Sequence, residues 1–311
     1  VRTSFLVQPR LAVVVPAAPW GRQVSIFCAR RTRDFVRDRS KLLSRCFLQL
    51  LLSVGLGLLW WGSGSSGDAM DAFTVSGLLF AISNYTLLNS LFDSVFRWHG
   101  VARLFRKEMG SRRLSCTAWL IAEMGCTLLF NLVFAFVLVL PCYGMAGLHL
   151  GGEMLAEALA SIVLGNCLAA TLGLAVAAAC SSTARARGFL SPLVVPLLLF
   201  SGYLVPRQEL PLGLRWIWSI DFIQWLFSAL RLAHFQGLEF VNCPPPLTPG
   251  SFCNCSHPES VCKGEDYLRT VNLDVGSHSL PVYLLFLLVA WGVAAGVLYC
   301  VLRGVEAKRP V

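Results

Sequence analysis

The sequence predicts an all-α membrane protein that crosses the bilayer six times, with both ends in the cytoplasm. Three observations carry that reading. Apolar residues make up 56% of the 311-residue chain and charged residues only 14%, where a soluble domain carries about a quarter. The apolar residues fall in long continuous runs, and about 18 of them suffice to cross the hydrocarbon core as a helix. The basic residues are absent from two short connections between those runs and gather in the connections that alternate with them, an asymmetry that sets orientation in a membrane.

Ahead of the first run, Val1 to Trp20 is apolar and broken by proline. It matches neither a complete signal peptide nor a spanning helix. A chain that starts with valine reads as a fragment or a processed product. The spanning runs are Leu42 to Trp61, Phe73 to Phe96, Ser115 to Leu140, Met154 to Cys180, Phe189 to Val205 and Leu280 to Leu302. The fifth is short and holds Pro192 and Pro196, so it is expected to be the least regular. Proline removes a backbone donor, and neighbouring helices can satisfy the carbonyl it frees. None of the runs alternates as the strands of a membrane barrel would.

The chain has 26 lysines and arginines and a net charge of +9. Nine precede the first run, from Arg2 to Lys41. Six lie between the second and third (Arg97, Arg103, Arg106, Lys107, Arg112 and Arg113), two between the fourth and fifth (Arg185 and Arg187), and Arg303, Lys308 and Arg309 follow the sixth. Gly62 to Ala72 and Pro141 to Glu153 contain none. The four basic segments therefore face the cytoplasm. The charge is a topology signal and a contact for anionic lipid, not the footprint of a nucleic-acid binder, because it flanks membrane segments.

Pro206 to Ser279 then faces out, and its five basic residues are spread through a long segment, where the rule has little force. Four of the 12 cysteines cluster there, Cys243, Cys253, Cys255 and Cys262. An oxidising compartment makes disulfides the first expectation, with three pairings open. Metal binding at the close-spaced Cys253 and Cys255 is the rival. Asn254-Cys255-Ser256 is an acceptor for N-glycosylation. Upstream, Trp216, Trp218, Phe222, Trp225, Leu226, Ala229, Leu230 and Ala233 recur at roughly helical spacing. They fit a re-entrant or surface-lying helix pair, or a single interfacial helix.

Ser161, Gly165, Ala169, Gly173 and Ala177 recur every four residues in the fourth run, and Gly292 and Gly296 lie in the sixth. Small residues so spaced let helix backbones approach, either within the bundle, which is favoured, or across a dimer. Glu123 is the deepest acid, two turns into the third run, and reads as a salt bridge on the cytoplasmic side. No catalytic set, metal spacing or phosphate-binding glycine loop stands out.

The order of features resembles the membrane domain of G-subfamily ATP-binding-cassette half-transporters, the White and breast-cancer-resistance group. Trp20-Gly21-Arg22-Gln23 with Arg30, Arg31 and Arg37-Asp38 looks like that family's amphipathic elbow helix. Leu104-Phe105-Arg106-Lys107-Glu108 looks like its cytoplasmic coupling helix, and Phe200-Ser201-Gly202-Tyr203-Leu204-Val205 like the end of its fifth helix. Trp216 and Phe227-Ser228-Ala229-Leu230 look like its outer re-entrant helices. Glu239-Phe240, Cys243-Pro244, Cys253 to Cys255 and Cys262-Lys263-Gly264-Glu265-Asp266-Tyr267-Leu268 resemble the disulfide-bonded loop of the drug-exporting branch. The sequence departs from that branch at Arg112 and Arg113, at the missing proline near Glu123, at Leu87 in place of an aromatic, at His234-Phe235 and at Tyr203-Leu204.

The resemblance implies a six-helix domain over residues 20–305, with an outer segment at 206–279 and a cytoplasmic tail at 306–311. Residues 1–19 would be a linker from an upstream nucleotide-binding domain that holds ATP and Mg²⁺. It implies a homo- or heterodimer with another half-transporter, embedded in membrane lipid at the plasma membrane or in the secretory pathway. Leu87, Leu91, Leu197 and Phe200 would wall a cavity for lipids, sterols or hydrophobic small molecules. Tyr203 and Leu204 would form the outer plug, and Arg103, Arg106, Lys107 and Glu108 would couple to the ATPase. Cys262 would join an intrachain disulfide, and another cysteine would bridge subunits. A permease with a separate ATPase chain and a non-transport scaffold or receptor are the alternatives.

Overall fold

A computed structural model describes residues 19–65, 71–110, 115–148, 151–205, 210–240, 262–271, 273 and 280–307. The polypeptide is a helical bundle. An amphipathic helix α1 (Trp20–Arg37) leads at Asp38 into α2 (Arg39–Leu59), followed by α3 (Asp71–Gly110), α4 (Cys116–Ala146), α5 (Gly152–Ala179) and α6 (Thr183–Phe200). Two short helices, α7 (Arg215–Ile220) and α8 (Phe222–Phe235), and a small helix α9 (Gly264–Thr270) precede α10 (Leu280–Ala307). Strands β1 (Glu239–Phe240) and β2 (Cys262–Lys263) pair antiparallel. Among the described residues, six helices are long and apolar enough to cross a membrane: α2, α3, α4, α5, α6 and α10. Each coincides with one of the six apolar runs.

Helix α5 forms the centre and packs against α3, α4, α8 and α10. Seventeen of its 28 residues are buried. Its small-residue stripe explains this position. A methyl group on Gly173 would lie 2.2 Å from the Leu91 carbonyl oxygen and 2.2 Å from Ser94 Oγ, and one on Gly165 would lie 2.9 Å from the Leu226 side chain. The stripe is used inside the chain, bringing α3 and α8 against α5 at backbone distance. Gly292 and Gly296 of α10 have no atom that close.

Helices α2 and α4 run parallel, since Ser53 donates to the Leu138 carbonyl (2.6 Å) and Gln49 to that of Phe134 (3.4 Å). Outward faces remain apolar, with Phe47, Leu51 and Leu58 on α2 and Leu285, Val289 and Val293 on α10 exposed. Such all-round apolar helices suit a hydrocarbon surrounding.

Two expectations about helix shape change. The coupling segment is not a separate helix: α3 continues for 40 residues through Glu108. That is about 60 Å at 1.5 Å per residue, roughly twice the hydrocarbon thickness. Its sequence from Val101 to Met109 has neither proline nor glycine to stop it. The fifth run is a regular helix despite Pro192 and Pro196, and it begins earlier, where Ser182 Oγ accepts from the Arg185 backbone N–H. The outer aromatic segment forms two helices rather than one. They join at Asp221, whose carboxylate accepts from the Ile223 N–H at 2.9 Å and so caps α8.

Candidate functional site

The functional residues fall into three levels along the bundle. At the basic end, α1 lies against α4. Gln23 accepts hydrogen bonds from the backbone N–H and the hydroxyl of Ser115, at 2.9 and 3.1 Å, which anchors the start of α4. Arg30 of α1 forms a two-pronged pair with Glu108 near the projecting end of α3. One helical position on, Arg31 Nε lies 3.4 Å from Glu123 of α4. Glu123 also pairs with Arg97 of α3 (3.0 Å), Arg97 reaches Asp93 (3.6 Å), and Asp93 reaches Arg45 of α2 (2.9 Å). The ion pairs thus tie all four helices together at one level. Arginine suits this role because its planar fork can serve two carboxylates at once. Glu123 is the salt-bridged residue expected. By sequence alone, Arg97 is a topology charge and Asp93 an acid near a helix end.

Of the residues expected to meet an ATPase, Arg103, Arg106 and Lys107 are exposed, and Glu108 is engaged by Arg30.

The middle level is the open face of α3. Leu87 and Leu91, expected as cavity wall, are 0% and 4% exposed. The Leu91 carbonyl faces Gly173, and Leu87 lies one turn away on the same side. In this arrangement both are interior packing, because the glycine stripe of α5 draws in that side of α3. The adjoining flank carries half-buried Ala81, Asn84, Leu88 and Phe92, with Asn84 two turns from Leu91. Asn84 Oδ1 has no hydrogen-bond partner there. Leu197 and Phe200 on α6 are likewise half-buried. Helix α6 runs antiparallel to α3 and touches it near both ends. Arg187 lies over the Phe96 ring at 5.0 Å, and Tyr203 stacks on Phe80 at 4.6 Å.

The third level closes the far end. The chain leaves α6 through Gly202, whose φ of 86° lies in the left-handed region that glycine tolerates. This turn places Tyr203 between α3 and α8. Its ring stacks on Phe80 and meets Phe227 edge-on at 5.9 Å, and its hydroxyl would touch a methyl group on Gly77. Leu204 is 53% exposed. Behind Phe227 sits Arg231, fully buried, with its guanidinium 4.0 Å from the ring centre and 3.4 Å from Ser228 Oγ. Its Nε has no hydrogen-bond partner, and no ion pair to it occurs among the described residues. Burial pulls its pKa down to about 10, opposed by the Tyr267 and Tyr283 hydroxyls. Burial pushes the Asp221 carboxyl up to about 7 against its backbone hydrogen bonds. Tyr267 bonds to Ser76 at 2.6 Å and packs edge-on against Phe73.

Sequence reasoning missed Arg231, counting it among loop charges. The signal was present: it is the one arginine in an apolar fourteen-residue helix, four places after Phe227. Cys243, Cys253, Cys255 and Asn254 lie outside the described residues, and only the backbone of Cys262 is described, in β2.

Comparison with known proteins agrees with this architecture. The chain is 24% identical over 283 residues to "Protein white" of Ceratitis capitata, covering 89% of this chain and 40% of that protein. It is 22% identical to "Protein white" of Drosophila melanogaster over 94% of this chain and 41% of that one. It is 25% identical to "ABC transporter G family member 4" of Dictyostelium discoideum, over 73% of this chain and 28% of that protein. The chain thus spans less than half the length of these relatives. The family profile described as "ABC-2 type transporter" matches residues 22–235, from the start of α1 to the end of α8. The chain belongs to the ABC-2 type transporter family, as a membrane domain related to White and to the ABC transporter G family.

Proposed function

We propose that this chain is the membrane-spanning part of an ATP-driven exporter of lipids, sterols or hydrophobic small molecules. It works as a dimer with a second copy or a related half-transporter. ATP and Mg²⁺ belong to a nucleotide-binding domain, on the same polypeptide or a separate one. Both termini lie in the cytoplasm, and the membrane is the plasma membrane or one of the secretory pathway. The supporting observation is the link between Arg30 on α1 and Glu108 on the long end of α3. A push on Arg103, Arg106 or Lys107 from a closing ATPase dimer would move a single continuous helix. That helix carries the substrate face and, at Phe80, the contact with the Tyr203 plug.

The substrate would lie between two copies of the open face of α3. Leu88, Phe92, Leu197 and Phe200 supply apolar wall, and Asn84 supplies one polar anchor, the mixture that binds a flat hydrophobic ligand. Leu87 and Leu91 would pack beside this wall, against α5. Closure would squeeze the cavity and displace Tyr203 and Leu204, a switch between two packings. The outer cysteines Cys243, Cys253, Cys255 and Cys262 would brace the exit through disulfides, with a glycan at Asn254.

The test is transport by the full-length protein in proteoliposomes, with a panel of fluorescent sterols and lipophilic dyes. ATP-dependent movement that falls several-fold in Asn84→Ala and Phe92→Ala supports the reading. Undiminished transport in both variants would remove the α3 face from the substrate path.

A further inference from the structure

The ion-paired level at the basic end borders an open cavity of about 580 Å³ lined by α1, α2, α3, α4 and Ala170 of α5. Its volume is in the range of small-molecule sites. The transport reading makes no use of this cavity, and a ligand held there is independent of that reading. Its charged part lies where α2 begins and α3 runs from Asp93 to Gly100, at the basic end of the membrane-spanning helices and so at headgroup depth for the adjoining leaflet, and its deeper part reaches Tyr85, Asn131 and Ala170.

The charges are arranged by depth. Arg31, Arg45 and Arg97 line the inner wall, against the carboxylates of Asp93 and, behind the wall, Glu123. Three cations meet two anions at this wall, and with Asp34 and Asp38 the whole lining holds three arginines and three aspartates. Burial and the neighbouring Arg97 guanidinium both pull the Arg31 pKa down, more than the acids restore it. Arg31 Nε makes no hydrogen bond. On α1, exposed Asp34 places a carboxylate at the edge, and half-buried Asp38, which has a partner of its own, lies one turn on. The remaining wall is apolar: Phe35 and Phe130 stack at 4.2 Å, and Phe96 and Leu48 open outward.

A positive floor, a negative rim and an apolar side match a zwitterionic amphipath with an inner phosphate, an outer amine and attached hydrocarbon. Arginine is the side chain best suited to hold a phosphate by two parallel hydrogen bonds. We propose that the cavity binds the headgroup of a zwitterionic phospholipid. Its phosphate meets Arg31, Arg45 and Arg97, its amine faces Asp34, and its first acyl carbons follow Phe96 and Leu48. The bound lipid fastens the amphipathic helix α1 to α2, α3 and α4, and so steadies the Arg30–Glu108 link from the side.

The test uses the full-length protein, purified in a detergent that contains no phosphate and stripped of lipid. It is titrated with short-chain phosphatidylethanolamine, phosphatidylglycerol, diacylglycerol and inorganic phosphate. Native mass spectrometry counts bound molecules, and the thermal midpoint reports stabilisation. Phosphatidylethanolamine should bind once per chain and raise the midpoint. Its binding should weaken at least about tenfold in Arg45→Gln, which loses a charge-assisted contact. Asn89→Trp, which fills the cavity and keeps every charge, should weaken it equally and without loss of folded protein. Equal binding of diacylglycerol would reduce the site to an apolar groove, and equal binding of inorganic phosphate to a simple anion site. Equal binding of phosphatidylglycerol would refute the amine at the rim. Unchanged lipid retention in Asn89→Trp would overturn the proposal whatever Arg45→Gln does.

Discussion

Replacing Gly173 with alanine inserts a single methyl group into the close contact between α3 and α5. That methyl carbon would lie 2.2 Å from both the Leu91 carbonyl oxygen and Ser94 Oγ. Ordinary contact begins at 3.4 Å, so α3 and α5 must part by about 1.2 Å. One obstacle is backbone in the middle of a helix and cannot rotate aside. Overpacking of this kind costs about 1–3 kcal/mol, and the rigid partner puts Gly173→Ala at the upper end. Alanine's better helix propensity offsets about 1 kcal/mol, leaving roughly 2 kcal/mol, or about a thirtyfold shift toward the unfolded form. Two controls grade the effect. At Gly165 the obstacle is the flexible end of Leu226, and at Gly292 there is none within 4 Å. Unfolding in mixed micelles, followed by tryptophan fluorescence, should rank the variants with Gly173→Ala least stable, Gly165→Ala intermediate and Gly292→Ala equal to or above the parent. If Gly173→Ala were as stable as Gly292→Ala, the stripe would not be the α3–α5 contact.

Three further outcomes are expected. Glu108→Gln should cost about 1 kcal/mol or less in stability, since the pair is partly exposed. It should lower transport per ATP hydrolysed, and the exchange Arg30→Glu with Glu108→Arg should restore the ratio, which a merely stabilising pair would not require. Between its ordinary value near 4 and about 7, Asp221 keeps a proton in the folded chain that it has lost in the unfolded one. Stability therefore falls as pH rises across that window. Asp221→Asn still caps α8 and should flatten the decline in melting temperature between about pH 4 and pH 7, so an unchanged slope would assign the decline elsewhere. Tyr203→Ala removes two ring contacts worth about 1 kcal/mol each, and vesicles carrying it should leak hydrophobic dye without ATP, whereas vesicles as tight as the parent's would remove Tyr203 from the gate.

The spanning helices were legible because each needs a long apolar run, and nothing else in the chain offers one. The small-residue stripe of α5 was legible for the same kind of reason, since four-residue spacing leaves a single smooth ridge. Which helix met that ridge was not. The pattern of α3 is apolar on several sides, so Leu87 and Leu91 could be a wall or a core until Gly173 was found against the Leu91 carbonyl. The end of α3 misleads because a change from apolar to charged residues suggests a loop, although Arg103, Arg106, Lys107 and Glu108 are good helix formers. The salt-bridged level joins residues up to 92 positions apart in sequence, as Arg31 to Glu123 shows. No local pattern reveals such a pairing. Arg231 was legible in principle, but charges in a long outer connection carry little topological weight and drew no attention.

The role of the ATPase is tested by purifying the chain under mild conditions from the membrane that makes it and measuring ATP hydrolysis in the preparation. Vanadate-sensitive hydrolysis that co-purifies with the chain, responds to lipophilic compounds and loses that response in Glu108→Gln is the expected result. A homogeneous preparation with no ATP hydrolysis, and with no ATPase on the same polypeptide or bound to it, would contradict a transporter driven by ATP.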